Sequence, residues 1–261
     1  ANLNATVENT GWEFELNTIN VNNDNFKWST SFNITFPKNK LLSFPDLEGS
    51  TYVNQLVIGE PLNIIKVYQL NGVSSETGFY EFEDFNGDGI ISSPDDRQVI
   101  KDLNPKYFGG ISNSLSYRKF SLDILFQFTK QQGYNFWSTG GVLPGAMANQ
   151  PNLVLQRWQN EGDQTDIQQF TTGLNPEGFQ AFQNYQRSDA GITDASFLRL
   201  KTLSLSYQLS KREDLGFGCD LFIRGQNLWT LTNYIGLDPE TRNNQTLPPL
   251  RFISIGTQLT F

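Results

Sequence analysis

The stretch Phe120-Ser-Leu-Asp-Ile-Leu-Phe-Gln-Phe128 decides the fold class, because apolar side chains recur at every second position. A period of two is typical of a β-strand with one apolar and one polar face. Strands of soluble sheets usually have about 5–6 residues, whereas a tilted strand that spans a bilayer has about 9–11. The length of this stretch therefore favours a membrane β-barrel over a soluble sandwich.

The same alternation recurs along the whole chain and predicts an all-β protein with about nine strands. Most of these stretches are around ten residues long, although two of them, 107–117 and 217–230, alternate less regularly. The predicted strands are 12–18, 26–36, 51–59, 62–71, 107–117, 120–128, 202–209, 217–230 and 253–261.

The predicted connections alternate between short and long, as the periplasmic turns and extracellular loops of outer-membrane barrels do. The short ones are Asn22 to Asn25, Glu60-Pro61, the turn near Arg118, and Ser210 to Gly216. The long ones are 38–50, 72–106, 131–195 and 231–249. The last predicted strand ends in Phe261, an ending that is familiar from barrels of the outer membrane.

Composition excludes several functional classes. The net charge is −8, so no basic footprint for nucleic acid is visible. The chain has no His, which excludes a Ser-His-Asp triad and a His-ligated zinc site. Adjacent or alternate carboxylates along the chain do not by themselves define the separation that a glycosidase pair needs. We therefore expect that the chain is not an enzyme.

Five ordered motifs and the terminal strand together are similar to the C-terminal portion of the SusC/RagA-like TonB-dependent transporters of the Bacteroidota outer membrane. The resemblance runs from about Asn9 to Phe261. The motifs are Asp84-Phe-Asn-Gly-Asp-Gly-Ile-Ile91, Asn104-Pro-Lys-Tyr-Phe-Gly-Gly-Ile-Ser-Asn113, Ala195-Ser-Phe-Leu-Arg-Leu-Lys-Thr-Leu-Ser-Leu-Ser-Tyr207, Gly225-Gln-Asn-Leu-Trp-Thr-Leu-Thr-Asn-Tyr234 and Gly236-Leu-Asp-Pro-Glu240.

The resemblance implies a large antiparallel transmembrane β-barrel, of about 22 strands in this family, with long extracellular loops. It implies nutrient uptake, namely active import of oligosaccharides or peptides across the bacterial outer membrane, as a multi-pass barrel in outer-membrane lipid. The implied partners are a SusD-like surface lipoprotein over the extracellular mouth and the TonB-ExbB-ExbD motor. That motor would act through an N-terminal plug domain.

Residues 1–261 are expected to form the last part of such a barrel, with the plug domain and the N-terminal strands elsewhere. About nine strands leave two unpaired edges, and each unsatisfied backbone group in lipid costs several kcal/mol. The chain is therefore expected either to end a longer polypeptide or to pair with another chain.

The stretch from Asp84 to Asp95 has the spacing of a calcium-binding loop. Asp84, Asn86 and Asp88 stand at positions 1, 3 and 5, Gly89 permits the turn, and the carbonyl of Ile90 is the expected fourth ligand. Asp95 replaces the usual bidentate Glu at position 12. The spacing predicts a structural Ca²⁺ that stiffens 72–106. The alternative is an Asx-turn loop without metal.

The longest predicted loop, 131–195, is rich in aromatic residues, and two interpretations of them remain open. They could stack on sugar or peptide ligands, or they could pack into a mini-core that a loop of this length needs. The residues are Tyr134, Phe136, Trp137, Trp158, Phe170, Phe179, Phe182 and Tyr185. Two charged residues inside predicted strands, Asp123 and Arg199, are expected to face the lumen or a neighbour.

Two other functions remain as alternatives to import. The barrel could serve as a component or scaffold of another outer-membrane complex. The chain could instead be a secreted, calcium-stabilised β-sandwich that binds glycans, although strand length and the alternation of loop lengths do not favour it.

Overall fold

The structure, a computed structural model, describes residues 4–210 and 216–261. Within them the chain forms long β-strands joined by loops that carry short strands and helices. The strands are β1 (Thr6–Asn22), β2 (Phe26–Ser43), β3 (Ile64–Val67), β4 (Leu70–Val73), β5 (Tyr80–Phe82), β6 (Val99–Asp102), β7 (Tyr107–Tyr117), β8 (Phe120–Lys130), β9 (Gln132–Tyr134), β10 (Ile192–Asp194), β11 (Phe197–Ser210), β12 (Gly218–Thr232) and β13 (Phe252–Thr260). The helices are α1 (Phe136–Thr139) and α2 (Pro176–Gln186), with 3₁₀ turns at Leu47–Gly49, Asn152–Gln156 and Asp189–Gly191.

The main sheet is antiparallel, and its seven described strands follow the order β1-β2-β7-β8-β11-β12-β13. Each strand therefore neighbours the next long strand along the chain, which is the up-and-down connectivity of a membrane barrel. Strands β1 and β2 are longer than predicted, at 17 and 18 residues. The prediction of an all-β barrel segment with long antiparallel strands is confirmed.

Two of the nine predicted strands, 51–59 and 62–71, are wrong. Residues 51–59 form turns, in which the N–H of Gln55 and that of Leu56 both donate to the Tyr52 carbonyl. Residues 62–71 are divided between β3 and the start of β4, which pair with β6 and β5 inside the loop rather than with the main sheet. β-branched residues occur in strands and in loops alike, and composition alone could not separate the two uses.

The alternation of short and long connections survives this correction, because the two wrong strands were a consecutive pair. Short connections join β1 to β2 and β7 to β8, and long ones join β2 to β7, β8 to β11 and β12 to β13. The predicted Glu60-Pro61 turn is part of the long connection 44–106. In the predicted turn from Ser210 to Gly216, residues 211–215 lie outside the described residues.

One face of the main sheet is mostly apolar, because the register aligns the apolar rows of successive strands; Thr30 and Asn113 also lie on this face and hydrogen-bond to each other at 2.7 Å. One row shows the alignment from β1 to β12. It consists of Leu16, Phe32, Ile111, Phe126, Leu200 and Trp229. The rows of β11 stay aligned because β11 carries one residue more than β8 at Lys201, between the pairs Leu200–Phe126 and Thr202–Leu125. Such a bulge shifts the alternation by one residue.

The apolar face is exposed to the surroundings of the chain, which contradicts the sandwich alternative. Ile255 is 77% exposed on this face, and no second sheet of comparable size covers it within residues 4–210 and 216–261. A soluble sandwich would bury this face against its partner sheet. The opposite face carries Ser, Thr, Asn and charged residues, as a barrel lumen does.

Aromatic side chains form two belts on the apolar face. Near the long connections, Phe36 and Tyr107 have ring centroids 5.7 Å apart; near the short connections, Phe120 and Tyr207 are 4.8 Å apart. Phe120 and Phe128 mark the two belts on β8 and are about 27 Å apart along the strand. At a tilt of about 40° this gives roughly 20 Å of height, close to the apolar band between the aromatic girdles of outer-membrane barrels.

Candidate functional site

The long connections form a layer beyond one end of the main sheet, and this layer has a core of its own. Helix α2 and strand β5 pack with the segment around α1. The buried side chains are Phe79, Tyr80, Trp137, Leu143, Val154, Ala181, Phe182 and Tyr185. Helix α2 begins where Asn175 caps it by accepting from the Gly178 N–H, and Pro176 follows at the first helical position.

The aromatic residues of 131–195 divide into buried, half-buried and exposed groups, and Tyr134, Phe136 and Trp158 are half-buried. Tyr80 and Tyr185 stack at 4.4 Å, and Phe182 stacks on Tyr185 at 6.3 Å. Burial raises the pKa of Tyr80 and of Tyr185, so both phenols stay neutral at physiological pH. These side chains and Trp137 support the mini-core interpretation and have no free ring face for a ligand. Phe170 and Phe179 remain exposed.

The third long connection, 233–251, is bound to the polar face of the sheet by a partly buried ion cluster. Arg199 of β11 is 2% exposed and binds Asp238 and Glu240 through separate guanidinium nitrogens. Lys201 reaches the same Glu240 carboxylate at 3.2 Å. The expectation that Arg199 faces the lumen or a neighbour is met, and its partners lie in the motif Gly236–Glu240. The other strand charge, Asp123, accepts from the Ser114 hydroxyl at 2.6 Å on the polar face.

The same connection also joins the other two loops. Arg242 donates to the carbonyls of Leu103 (2.7 Å) and Gln132 (2.9 Å). Burial lowers the pKa of Arg242. Gln131 donates to the Pro239 carbonyl at 2.8 Å. Sequence reasoning did not single out Arg242, because a loop arginine with two carbonyl partners has no distinctive spacing.

The predicted calcium loop is compact and mostly exposed. Asp84 accepts the Gly87 and Gly89 N–H groups with its two oxygens, at 2.8 Å each. Asp88 accepts from the N–H of Ile90 at 2.8 Å, and Asn86 donates to Asp88 at 3.0 Å. The structure thus brings the side chains of Asp84, Asn86 and Asp88 together on one turn, with the backbone of Ile90 beside them.

At the end of this loop the buried carboxylate belongs to Asp96 rather than to Asp95. Asp96 is fully buried and accepts from the N–H groups of Phe85 and Ser92, whereas Asp95 is exposed. The spacing selects Asp95 as the ligand at position 12, and this stays a prediction; the adjacent Asp96 has no distinctive spacing. Among the described residues, no three His, Cys, Asp or Glu side chains converge as a metal-binding group. A cation here would therefore also need the amide oxygen of Asn86 and a backbone carbonyl.

No helix within residues 4–210 and 216–261 combines the length and the apolar character needed to cross a membrane.

Comparison with known proteins agrees with the fold and with the ordered motifs. No protein-family model matches the chain. It is 28% identical to TonB-dependent receptor P3 of Formosa agariphila, over 98% of the chain and 29% of that receptor. It is 26% identical to TonB-dependent receptor SusC of Bacteroides thetaiotaomicron, over 92% of the chain and 24% of SusC. The RagAB peptide importer in its closed-closed state superposes with a TM-score of 0.77 at 24% identity, over 98% of the chain and 30% of the importer chain.

The predicted resemblance is confirmed: the chain is similar to the C-terminal portion of TonB-dependent receptors, SusC among them, and shares the fold of RagAB. It spans less than a third of the length of the curated relatives that it matches. The relatives are TonB-dependent receptors and a peptide importer, which agrees with the expectation that the chain is not an enzyme. The long connections form the candidate functional surface of the chain.

Proposed function

We propose that this chain supplies C-terminal strands and extracellular loops to an active importer in the bacterial outer membrane. The observation that carries the proposal is the exposed, mostly apolar face of the main sheet, which has an aromatic belt near each end. Long connections at one end and short ones at the other give the segment the polarity of an outer-membrane barrel. Similarity to SusC and to RagAB supports import as the activity.

The proposed cargo is an oligosaccharide or a peptide, and the proposed partner is a SusD-like surface lipoprotein. RagAB is a peptide importer, which supports the peptide class. The loop layer has a packed core beneath exposed side chains such as Met147 and Leu174, and such a surface suits a lid. A plug domain and further strands, in the same polypeptide or in another chain, would close the lumen. TonB-ExbB-ExbD would supply the energy.

An uptake assay tests this proposal. Cells that lack the polypeptide carrying this chain are expected to lose uptake of fluorescent oligopeptides or of fluorescent oligosaccharides. The intact polypeptide is expected to restore uptake, and a protonophore is expected to abolish it again. Whichever labelled pool responds identifies the cargo class. Unchanged uptake of both pools, with the polypeptide recovered in a stable complex with other outer-membrane proteins, would contradict import and favour the scaffold alternative.

We also propose that the loop from Asp84 to Asp95 holds a structural Ca²⁺. The donors are all oxygens, as calcium prefers, and come from Asp84, Asn86, Asp88 and the Ile90 carbonyl. Asp95, the residue that the spacing selects, or the adjacent Asp96 would complete the set. The cation would stiffen the connection 44–106 and would have no part in chemistry.

Proteolysis with and without chelator tests the calcium proposal. With calcium at about 100 times its dissociation constant, the stabilisation is about 2.7 kcal/mol, so cleavage within 72–106 is expected to slow by at least about tenfold. Asp84→Ala with Asp88→Ala should remove this protection. A control pair, Asp24→Ala with Glu48→Ala, removes the same charge elsewhere and should retain it. Cleavage rates that do not respond to chelator in the unsubstituted protein would refute the metal site.

A further inference from the structure

A cleft interrupts the main sheet near the long connections, at the outer end of β2. The β2–β7 ladder ends at the pair Thr35–Phe108. Farther along β2, Leu41 resumes pairing by donating to the Glu60 carbonyl (2.9 Å) and accepting from the Gly59 N–H (2.8 Å). Between these two points, no strand of the described part of the chain occupies the side of β2 that β7 covers closer to the short connections. The gap is a cleft of about 680 Å³.

The backbone of β2 opens into this cleft. Leu41 directs its N–H and carbonyl towards residues 59–60, so by the two-residue repeat of a strand Asn39 and Pro37 direct their polar groups to the same side. Pro37 has no N–H, which removes one donor that would otherwise lack a partner. The Asn39 side chain accepts from the Leu62 N–H at 2.8 Å and so closes the upper end of the cleft. The backbone pairing of β2 and the Asn39 hydrogen bond therefore define the borders of the cleft.

The walls of the cleft are aromatic below and basic above. Trp12 and Phe36 line the cleft at the aromatic belt near the long connections, and Lys38, Lys40 and Lys106 line it beyond that belt. The ammonium groups of these three lysines make no hydrogen bond or ion pair with any residue that the structure describes. Lys38 and Lys40 follow Phe36 at two-residue intervals, so they continue its outward row.

Two carboxylates, Glu60 and Asp102, also line the cleft. Asp102 is engaged by Asn104, whose backbone N–H and side-chain amide both donate to it at 2.9 and 2.8 Å. The three lysines carry more charge than the two carboxylates, and one carboxylate, that of Asp102, already accepts hydrogen bonds from its neighbour Asn104. The excess is positive although the whole chain has a net charge of −8.

We infer that this cleft binds the anionic headgroup of a phosphorylated lipid in the outer leaflet of the membrane. The inference rests on the proposed barrel orientation, in which the long connections are extracellular. A ligand that touches Trp12 and Phe36 at the edge of the apolar band and the lysines just beyond it must itself be amphiphilic. Lysines near a membrane surface attract anionic headgroups, and phosphate oxygens suit ammonium donors.

Binding of defined lipids to the purified, detergent-extracted polypeptide tests the inference. The probes are monophosphorylated lipid A, the same lipid without phosphate, and inorganic phosphate alone, measured by native mass spectrometry. The phosphorylated lipid is expected to bind at least about tenfold more tightly than its dephosphorylated form. Millimolar inorganic phosphate should not displace it. Equal binding of both lipids, or displacement of the lipid by inorganic phosphate, would overturn the inference that the cleft binds a phosphorylated lipid.

Matched variants locate the site. Lys38→Gln with Lys40→Gln and Lys106→Gln should weaken binding by at least about tenfold, whereas the three Lys→Arg changes should keep it within about threefold. A control at the other end of the strands, Lys27→Gln with Arg118→Gln and Lys119→Gln, should leave binding within about twofold. If the Lys→Arg variant binds as poorly as the Lys→Gln variant, the lysines act structurally and the inference fails.

Uptake in cells separates this inference from the proposed function. The Lys→Gln variant is expected to import cargo at a rate within about twofold of the unsubstituted protein. Loss of lipid binding with retained import would leave the proposed function intact. Absence of import in the unsubstituted protein together with phosphate-dependent lipid binding would refute import alone.

Discussion

Ile124→Arg is expected to reduce the folded, membrane-inserted protein by at least about tenfold. Ile124 lies in the middle of β8 on the apolar face, paired with Asn113 and Leu203. An arginine on the lipid face near the bilayer midplane costs about 2–4 kcal/mol, and about 1.4 kcal/mol corresponds to a tenfold change. The measurement is the heat-modifiable fraction of the protein in isolated outer membranes.

Asp123→Asn is the matched control for this change. Asp123 is the preceding residue and lies on the polar face, where it accepts from the Ser114 hydroxyl. Asparagine keeps an acceptor oxygen and removes a charge, so assembly should remain near that of the unsubstituted protein. If Asp123→Asn impaired assembly and Ile124→Arg did not, the two faces would be assigned the wrong way round, which corresponds to a register error of one residue.

Arg199→Met is expected to lower the free energy of local opening of the connection 233–251 by about 3 kcal/mol. Methionine keeps the length of the side chain but leaves the buried carboxylate of Asp238 without its cation. Removing one partner of a buried ion pair costs about 3–5 kcal/mol. The lower figure applies here because Asp238 also accepts from the N–H groups of Glu240 and Thr241. Hydrogen exchange of residues 233–251 should therefore accelerate by about a hundredfold.

Two further variants distinguish charge from packing at this site. Lys201→Met removes the more exposed cation that shares Glu240 and should change exchange by less than about tenfold, because partly exposed pairs contribute about 0–1 kcal/mol. Arg199→Met with Asp238→Asn removes the orphaned charge and should recover part of the protection. If the double variant exchanged as fast as Arg199→Met alone, the buried charge would not explain the effect.

The sequence predicted the barrel strands well because a single physical pattern governs them. Lipid on one side and water on the other favour an alternation of apolar and polar residues, and seven of the nine predicted strands, including the less regular 107–117 and 217–230, are present in the structure. The predictions for 51–59 and 62–71 failed because these residues belong to a long connection, where they form turns and short strands. There no bilayer enforces the period, and distant pairing with β6 and β5 decides the structure.

The site was predictable only where neighbours along the chain determine it. The turn that gathers Asp84, Asn86 and Asp88 follows from local spacing, and the structure brings these side chains together. The pairing of Arg199 with Asp238 and the position of Arg242 between Leu103 and Gln132 depend on contacts between separate loops. The cleft beside Lys38 depends on where the β7 ladder ends, and no local pattern in β2 marks that point.

The extra residue at Lys201 has a consequence for how such barrels can change in length. In a strand of regular alternation, the insertion or deletion of one residue moves every side chain beyond that point to the opposite face of the sheet. In β11 the bulge compensates for such a shift, so that Leu198 and Leu200 lie on the same face as Leu203 and Leu205. Related barrel strands can therefore differ in length by one residue at such a bulge while their outward-facing side chains remain in contact with lipid.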